Sequence, residues 1–279
     1  MKRLIVLFLM VSGSPMVLAD GSPWLPSDGS ISISADLVTG STDEFFIGDQ
    51  SMNLGGDIEG TFVFLNASYG YDDIWAFDFR TGYAQSRFDQ DNFVGEQPEQ
   101  DDISDTSFGV SYQFINEFEA DNGWPTIAVR GGFTIGGDYE TNVIEAIGDG
   151  ASGVDLSLLV GKSLNTSISV AGDLTFRQRN NEVAEAVKYI VSGFYSTPLQ
   201  GLGLRASFAG TRTDSDVNIG DPGFNARFPE TDRDSDWLIL GANYSFVNGI
   251  GAGFSFSSVL SGRNVADSSI GMFSLSYSL

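Results

Sequence analysis

The charged residues that could do chemistry in this chain stand at alternate positions between apolar side chains. Ten of them fall in strand-length segments, on the parity opposite to the apolar residues. They are Asp36, Asp78, Arg80, Arg130, Asp155, Asp173, Arg177, Arg179, Lys188 and Arg205. Because successive side chains of a β-strand point to opposite faces, these charges share one face and the apolar residues share the other. Such a face can bind polar or ionic solutes, or it can form Arg–carboxylate pairs that tie strands together.

A second group of oxygen ligands lies between Asp214 and Asp221. Asp214, Asp216 and Asp221, with Asn218 between them, place oxygen atoms at a spacing resembling that of calcium loops. The segment lacks the glycine at the sixth position and the glutamate at the twelfth that an EF-hand requires. A calcium site formed by these three aspartates is one hypothesis, and a solvated acidic loop is the other. No other cofactor is predicted.

The composition excludes several classes of function. The sequence contains no histidine and no cysteine, so a Ser-His triad, an imidazole base, a disulfide and a thiolate metal site are all impossible. We therefore expect that the protein is not an enzyme. The net charge of −23 argues against nucleic acid as a partner. It favours cations, including the divalent ions that bridge lipopolysaccharide.

The N-terminus has the features of an export signal. Lys2 and Arg3 precede the apolar run Leu4–Val11, and Ala19 offers a small residue just before a cleavage site. The run is shorter than the roughly 20 residues of a spanning helix. We therefore predict a signal peptide over residues 1–19 and one domain over residues 20–279, of which residues 20–29 form a periplasmic N-terminal segment.

Twelve alternating segments follow, and each has about the 9–11 residues that a tilted strand needs to cross a bilayer. They are Ser30–Val38, Thr61–Tyr69, Ile74–Ser86, Thr106–Ile115, Thr126–Gly136, Gly153–Lys162, Ser167–Arg179, Ala186–Ser196, Leu202–Arg212, Trp237–Val247, Ile250–Leu260 and Ile270–Leu279. The pattern predicts an all-β fold, a transmembrane antiparallel up-and-down β-barrel of about 12 strands. A soluble β-sandwich or lipocalin-like barrel is the alternative, and uniform strand length with aromatic residues at strand ends weighs against it.

The links between these segments alternate in length. The long ones are acidic and are predicted over Gly40–Asp57, Asp89–Asp105, Gly137–Gly150 and Asp214–Asp236. Short periplasmic turns and long extracellular loops are the asymmetry expected of outer-membrane barrels. An even strand number would leave both termini in the periplasm.

The last segment alternates Phe273, Leu275, Tyr277 and Leu279 with serines, and these four residues are predicted to form the membrane-insertion signal. A chain that ends on such a strand after an export signal resembles a Gram-negative outer-membrane β-barrel, although the usual terminal residue there is aromatic. The resemblance implies an outer-membrane location and contact with membrane lipid and lipopolysaccharide. It also implies delivery by periplasmic chaperones to the barrel assembly machinery.

Two short motifs carry a narrower resemblance. Trp24-Leu-Pro26-x-x-Gly29 and the segment Tyr69–Asp78 are similar to the small transporter barrels grouped with the phenol meta-degradation pathway. That likeness covers mainly the first third of the chain and implies passage of small organic compounds. We therefore expect a passive, porin-like channel for small solutes, with the ten charged residues lining its pore. The alternative is a non-conducting barrel whose acidic loops bind divalent cations, lipopolysaccharide or a partner.

Overall fold

The computed structural model describes residues 21–90, 97–120, 123–222, 224 and 228–279, so the predicted signal peptide lies outside the described residues. This part of the chain contains thirteen β-strands and a short 3-10 helix at Phe228–Glu230. The strands are β1 Ile31–Ile47, β2 Gln50–Tyr71, β3 Trp75–Gln90, β4 Glu99–Ile103, β5 Thr106–Ile115, β6 Thr126–Ile135, β7 Gly153–Ser163, β8 Ile168–Arg179, β9 Glu185–Ser196, β10 Leu202–Asp214, β11 Asp234–Ser245, β12 Ile250–Arg263 and β13 Ser269–Ser278. No helix in these residues is long and apolar enough to cross a membrane.

The strands form one closed antiparallel barrel. Neighbours in sequence pair with each other, and β13 returns to pair with β1, with Ala35 opposite Leu275. Twelve strands close the barrel, and the five-residue β4 is an addition to them. β4 pairs with the far half of β3 and β5 pairs with the near half, so β4 and β5 are one strand interrupted at Ser104–Asp105. The predicted fold class is confirmed.

Two of the predicted long loops are wrong in their extent. Over Gly40–Asp57, β1 continues to Ile47 and β2 starts at Gln50, so the link is a turn centred on Gly48. Gly48 has a positive φ of 57°, which suits a tight turn. The predicted loop Asp89–Asp105 contains β4. Strands can continue past the membrane because backbone hydrogen bonds hold a hairpin together without an apolar face.

Successive side chains of each strand point alternately outward and inward, and they form an apolar outer face and a polar inner face. Large apolar side chains on the outer parity remain highly exposed, as in Leu156 at 63% and Val191 at 60%, because their natural environment is lipid. The sequence left the parity of β2 ambiguous. In the structure Val63 and Leu65 point outward, and Phe62 and Phe64 point into the lumen.

Candidate functional site in the barrel lumen

The first feature of the lumen is an ion pair that reaches across a strand. Arg130 on β6 donates from Nε and Nη2 to the two carboxylate oxygens of Asp78 on β3, at 2.9 and 2.6 Å. The pair passes over Gly109 of the intervening β5, where a Cβ atom would collide with both side chains. This bidentate geometry gives the strongest kind of Arg–carboxylate bond and fixes the two strands relative to each other.

A second network lies on β7 and β8. Asp155 accepts hydrogen bonds from Nε of Arg177 at 3.0 Å and from Nη2 of Arg179 at 2.9 Å. Arg179 also donates to the hydroxyl of Thr134 on β6 at 3.0 Å, and its side chain is 3% exposed. One carboxylate therefore holds two guanidinium groups, so the triad keeps one net positive charge.

Two further predicted acids bond to neutral groups. Asp36 on β1 accepts from Nδ2 of Asn66 on β2 at 2.8 Å and from the hydroxyl of Ser274 on β13 at 2.6 Å. The bond from Ser274 crosses the seam where the first and last strands meet, and the bond from Asn66 ties β1 to β2. Asp173 on β8 accepts from the hydroxyl of Thr175 at 2.8 Å.

The remaining predicted pore-lining cations lie in other environments. The Arg80 guanidinium sits 3.8 Å above the centre of the Phe64 ring, a cation–π contact. Lys188 occupies the inward parity of β9, opposite Thr211 of β10. Arg205 on β10 bonds to serine hydroxyls rather than to an acid. The structure thus brings the ten predicted residues to the inner wall but divides them among separate local networks.

Small side chains occupy most inward positions of the strands that complete the circle, nearest the short turns. We call this surface the small-residue wall. Its residues are Gly203, Ser207, Gly241, Asn243, Gly251, Gly253, Ser255, Ser257, Ser274, Ser276, Ser278, Ser32 and Ser34. The hydroxyl and amide groups of this wall can hydrogen-bond to water or to a polar solute.

An apolar patch lies on the same side of the barrel, nearer the long loops. This luminal apolar cluster consists of Val38, Phe64, Ile190, Ala209, Ile239 and Met272. Sequence analysis missed it, because inward positions were expected to be polar. The signal that could have revealed it is the run Phe62–Leu65, which carries apolar residues on both parities.

The segment before β1 folds back into the lumen at the short-turn end. The carbonyl of Pro23 accepts a hydrogen bond from Nε2 of Gln113 at 2.9 Å. The Trp24 ring packs edge-on against Phe194, with 6.2 Å between ring centres. Gly161 lets the segment approach β7, since a Cβ there would lie 2.6 Å from Pro23 and 2.7 Å from Trp24. These contacts narrow the lumen at this end.

Glu117, in the turn between β5 and β6, clamps this segment in place. Its carboxylate accepts from Nε1 of Trp24 at 3.0 Å and from the backbone N–H of Ser163 at 3.0 Å. Burial alone would raise the pKa of Glu117, but the hydrogen bonds from Ser163, Trp24 and Lys162 together lower it below its usual value. The clamp is therefore ionised at neutral pH. Sequence analysis missed Glu117 because its partners are distant in sequence.

The opposite end is partly covered by the link between β6 and β7. Asp149 in this link accepts from Nη1 of Arg233 at 2.8 Å. Burial tends to raise the pKa of Asp149, but the charges of Arg233, Arg177 and Lys188 lower it below its usual value. Asp105 accepts from Tyr139 and from the backbone of Gly137, yet its burial raises its pKa.

The predicted calcium ligands do not assemble. Within the described residues, no group of three or more acidic residues could hold a metal ion. Asp221 instead accepts a hydrogen bond from Nδ2 of Asn218 at 3.1 Å. The geometry thus lends no support to the hypothesis built on Asp214, Asp216 and Asp221.

The predicted insertion signal lies on the outer face of β13 and at its end. Phe273, Leu275, Tyr277 and Leu279 are all highly exposed, as lipid-facing groups must be in the absence of lipid. Leu279 also exchanges two backbone hydrogen bonds with Ile31, at 2.9 and 3.3 Å, and so closes the barrel at the short-turn end. Recognition of this strand by the assembly machinery stays a prediction.

A closed antiparallel barrel with an apolar outer face and a charged and hydroxyl-lined inner face defines the class of outer-membrane β-barrels. No protein-family model matches the sequence, and no curated protein matches it. Solved structures show the same fold. An outer-membrane channel of the COG4313 group from Pseudomonas putida F1 superposes with a TM-score of 0.72 at 13% identity, covering 94% of this chain and 100% of that one.

Two other barrels superpose with lower TM-scores. The NanC porin matches with a TM-score of 0.52 at 7% identity, over 87% of this chain and 98% of that one. The β-domain of the Bordetella autotransporter BrkA matches with a TM-score of 0.51 at 12% identity, over 90% of this chain and 100% of that one. Since the matches include both a porin and an autotransporter domain, they show the barrel fold and leave its function open.

Proposed function

We propose that this barrel is a passive channel through which small solutes cross the outer membrane. The observation that carries the proposal is the small-residue wall. A barrel of about twelve strands lies between small barrels filled by side chains and wide open porins, so the size of the inward side chains decides whether a path exists. Glycine, serine and asparagine leave room and offer hydrogen bonds to a passing solute. The names of the similar channel and porin structures agree with this role.

The N-terminal segment supports a narrow channel rather than a wide one. Trp24 and Pro23 occupy space at the short-turn end that a solute would otherwise use. The arginine networks take up the opposite wall, where Asp78 and Asp155 neutralise two of the three positive charges. We therefore expect small conductance steps and weak ion selectivity.

Single-channel recording in a planar bilayer tests this proposal. Three proteins are compared with residues 20–279: one without residues 20–25, one carrying Trp24→Ala, and one carrying Trp124→Ala. Trp124 is 54% exposed beside the short turns, so the last variant removes the same ring without touching the lumen. We expect discrete steps from residues 20–279, larger steps from the first two variants, and unchanged steps from the third. If no folded variant passes current, the lumen is closed and the proposal is wrong.

A further inference from the structure

Arg205 differs from the ion-paired arginines of the lumen. Its Nε donates to the hydroxyl of Ser207 at 2.8 Å, and its Nη2 donates to the hydroxyl of Ser192 at 3.3 Å. Among the described residues, no carboxylate lies within ion-pair distance of it, whereas Arg130, Arg177 and Arg179 each contact an aspartate. A half-buried guanidinium without a counter-ion carries a full positive charge into the lumen.

The surroundings of Arg205 leave its guanidinium group accessible. Its strand neighbours on the inner face are Phe194 of β9 and Gly241 of β11, so one side presents an aromatic ring and the other presents no side chain. The guanidinium carbon lies 5.7 Å from the centre of the Phe194 ring. Nη1 makes no hydrogen bond to the described residues and is free to bind a ligand. The hydroxyls of Ser192 and Ser207 also hydrogen-bond to each other at 2.8 Å, so one hydroxyl hydrogen remains that can be donated to an anion beside the guanidinium group.

The apolar surface begins directly above this site. Ile239 pairs with Ser207, and Ala209 and Ile190 lie one inward position further along β10 and β9. Adjacent inward positions on a strand are about 7 Å apart. The luminal apolar cluster is therefore within the length of a small organic molecule whose charged end rests on Arg205.

We infer that Arg205, Ser192 and Ser207 form a binding site for the carboxylate of a small monoanion, whose apolar body lies against Ile239, Ala209 and Ile190. A single guanidinium balances one negative charge, and the strongly acidic chain disfavours ligands that carry several. A purely inorganic anion would leave the apolar wall unused. This site deepens the proposed channel function and rests on it, since solutes must reach the lumen.

Equilibrium binding to the detergent-solubilised barrel of residues 20–279 tests the site without requiring conduction. Three probes at neutral pH separate its parts: benzoate has both the carboxylate and the apolar ring, acetate has only the carboxylate, and benzamide has a neutral group on the same ring. Arg205→Gln removes the charge, and Arg205→Lys keeps the charge but loses the planar fork. Arg212→Gln is the matched control, because Arg212 faces outward and pairs with Asp236.

We expect the wild-type barrel to bind benzoate about tenfold more tightly than either acetate or benzamide. Arg205→Gln should lose that preference, Arg205→Lys should keep part of it, and Arg212→Gln should match the wild type. Equal binding of benzoate and benzamide by the wild type, or an equal loss in Arg212→Gln, would overturn the inference. If the channel proposal alone is wrong, the result differs from this: the barrel passes no current in the bilayer but still binds benzoate more tightly than acetate or benzamide.

Discussion

At the scale of single residues, the lumen contains two kinds of arginine. Arg130 and Arg179 are almost fully buried and Arg177 is partly buried, and each is held by an aspartate, whereas Arg205 is not. Breaking a buried ion pair leaves an uncompensated charge, so the first kind contributes mainly to stability. A guanidinium that faces the lumen without a carboxylate is better placed to select solutes. The arginines of β6 and β8 therefore stabilise the barrel, whereas the arginine of β10 is placed to bind solutes.

Asp155→Asn should destabilise the barrel by about 3–5 kcal/mol, because the buried Arg179 and the partly buried Arg177 would lose their shared carboxylate. The free energy of unfolding can be measured by urea titration in lipid vesicles, with tryptophan fluorescence as the signal. Glu59→Gln is the control, because its pair with Arg87 is largely exposed, with side chains 56% and 43% accessible. That variant should lose about 0–1 kcal/mol. Equal losses in both variants would show that burial of the triad has no special role.

The partners of these charges could not have been read from the sequence. Alternation placed all ten charged residues on the inner face, since parity is a local property of a strand. Pairing depends on strand order and register, which are long-range. Arg130 reaches across the whole of β5 to Asp78, and that contact requires Gly109 at one register position. The same limit hid Glu117, whose partners Trp24 and Ser163 are far away in sequence.

At the scale of elements, the existence of the strands was easier to predict than the residues at which they begin and end. All twelve bilayer-length segments are strands, because an apolar stripe of period two is a strong signal. The continuation of β1 and β2 beyond Gly40 and Asp57 was missed, since polar hairpins in water lack that stripe. The N-terminal segment was predicted to be periplasmic. That location stays a prediction, and in the structure the segment enters the lumen at the short-turn end, where Trp24 bonds to Glu117 and packs against Phe194.

The link between β6 and β7 should loosen in acid. The lowered pKa of Asp149 means that its ion pair with Arg233 and its attraction to the charges of Arg177 and Lys188 stabilise the link above the ordinary aspartate pKa of about 3.9. That contribution is lost as the pH falls from this value through the lowered pKa. Hydrogen exchange of residues 137–152, corrected for the intrinsic pH dependence of exchange, should show protection decreasing below about pH 4.

Asp149→Asn supplies the control for this pH dependence, because the titrating group is removed. Among the other carboxyl groups near the link, burial raises the pKa of Asp105. A raised pKa gives the opposite sign: its contribution is complete below the ordinary value and is lost as the pH rises through the raised one. Protection in this variant should therefore be lower overall and should not decrease in acid. A decrease equal to that of the wild type would assign the effect to other groups.

At the scale of the whole molecule, the barrel is asymmetric around its circumference. The arc from β3 to β8 carries the ion-pair networks, and the arc from β10 through β13 to β1 carries the small-residue wall and much of the apolar cluster. Charged networks fix strands by side-chain bonds, whereas the opposite arc depends on backbone pairing and on the hydrogen bonds of Asp36 to β2 and β13. Room for a solute is thus concentrated beside Arg205, on the arc where small inward residues leave it.

This division of faces predicts different responses to an arginine placed at two nearby positions of β11. Leu240 points outward and is 50% exposed, so Leu240→Arg would place a charge near the middle of the membrane at a cost of about 2–4 kcal/mol. Asn243 points into the lumen, where an arginine keeps its hydration, so Asn243→Arg should leave the free energy of unfolding nearly unchanged. Urea titration in vesicles gives the first quantity, and the reversal potential in a salt gradient should shift toward anions only for Asn243→Arg. Equal destabilisation of the two variants would contradict the assignment of faces, because water and hydrocarbon on the two sides of one strand are what separates them.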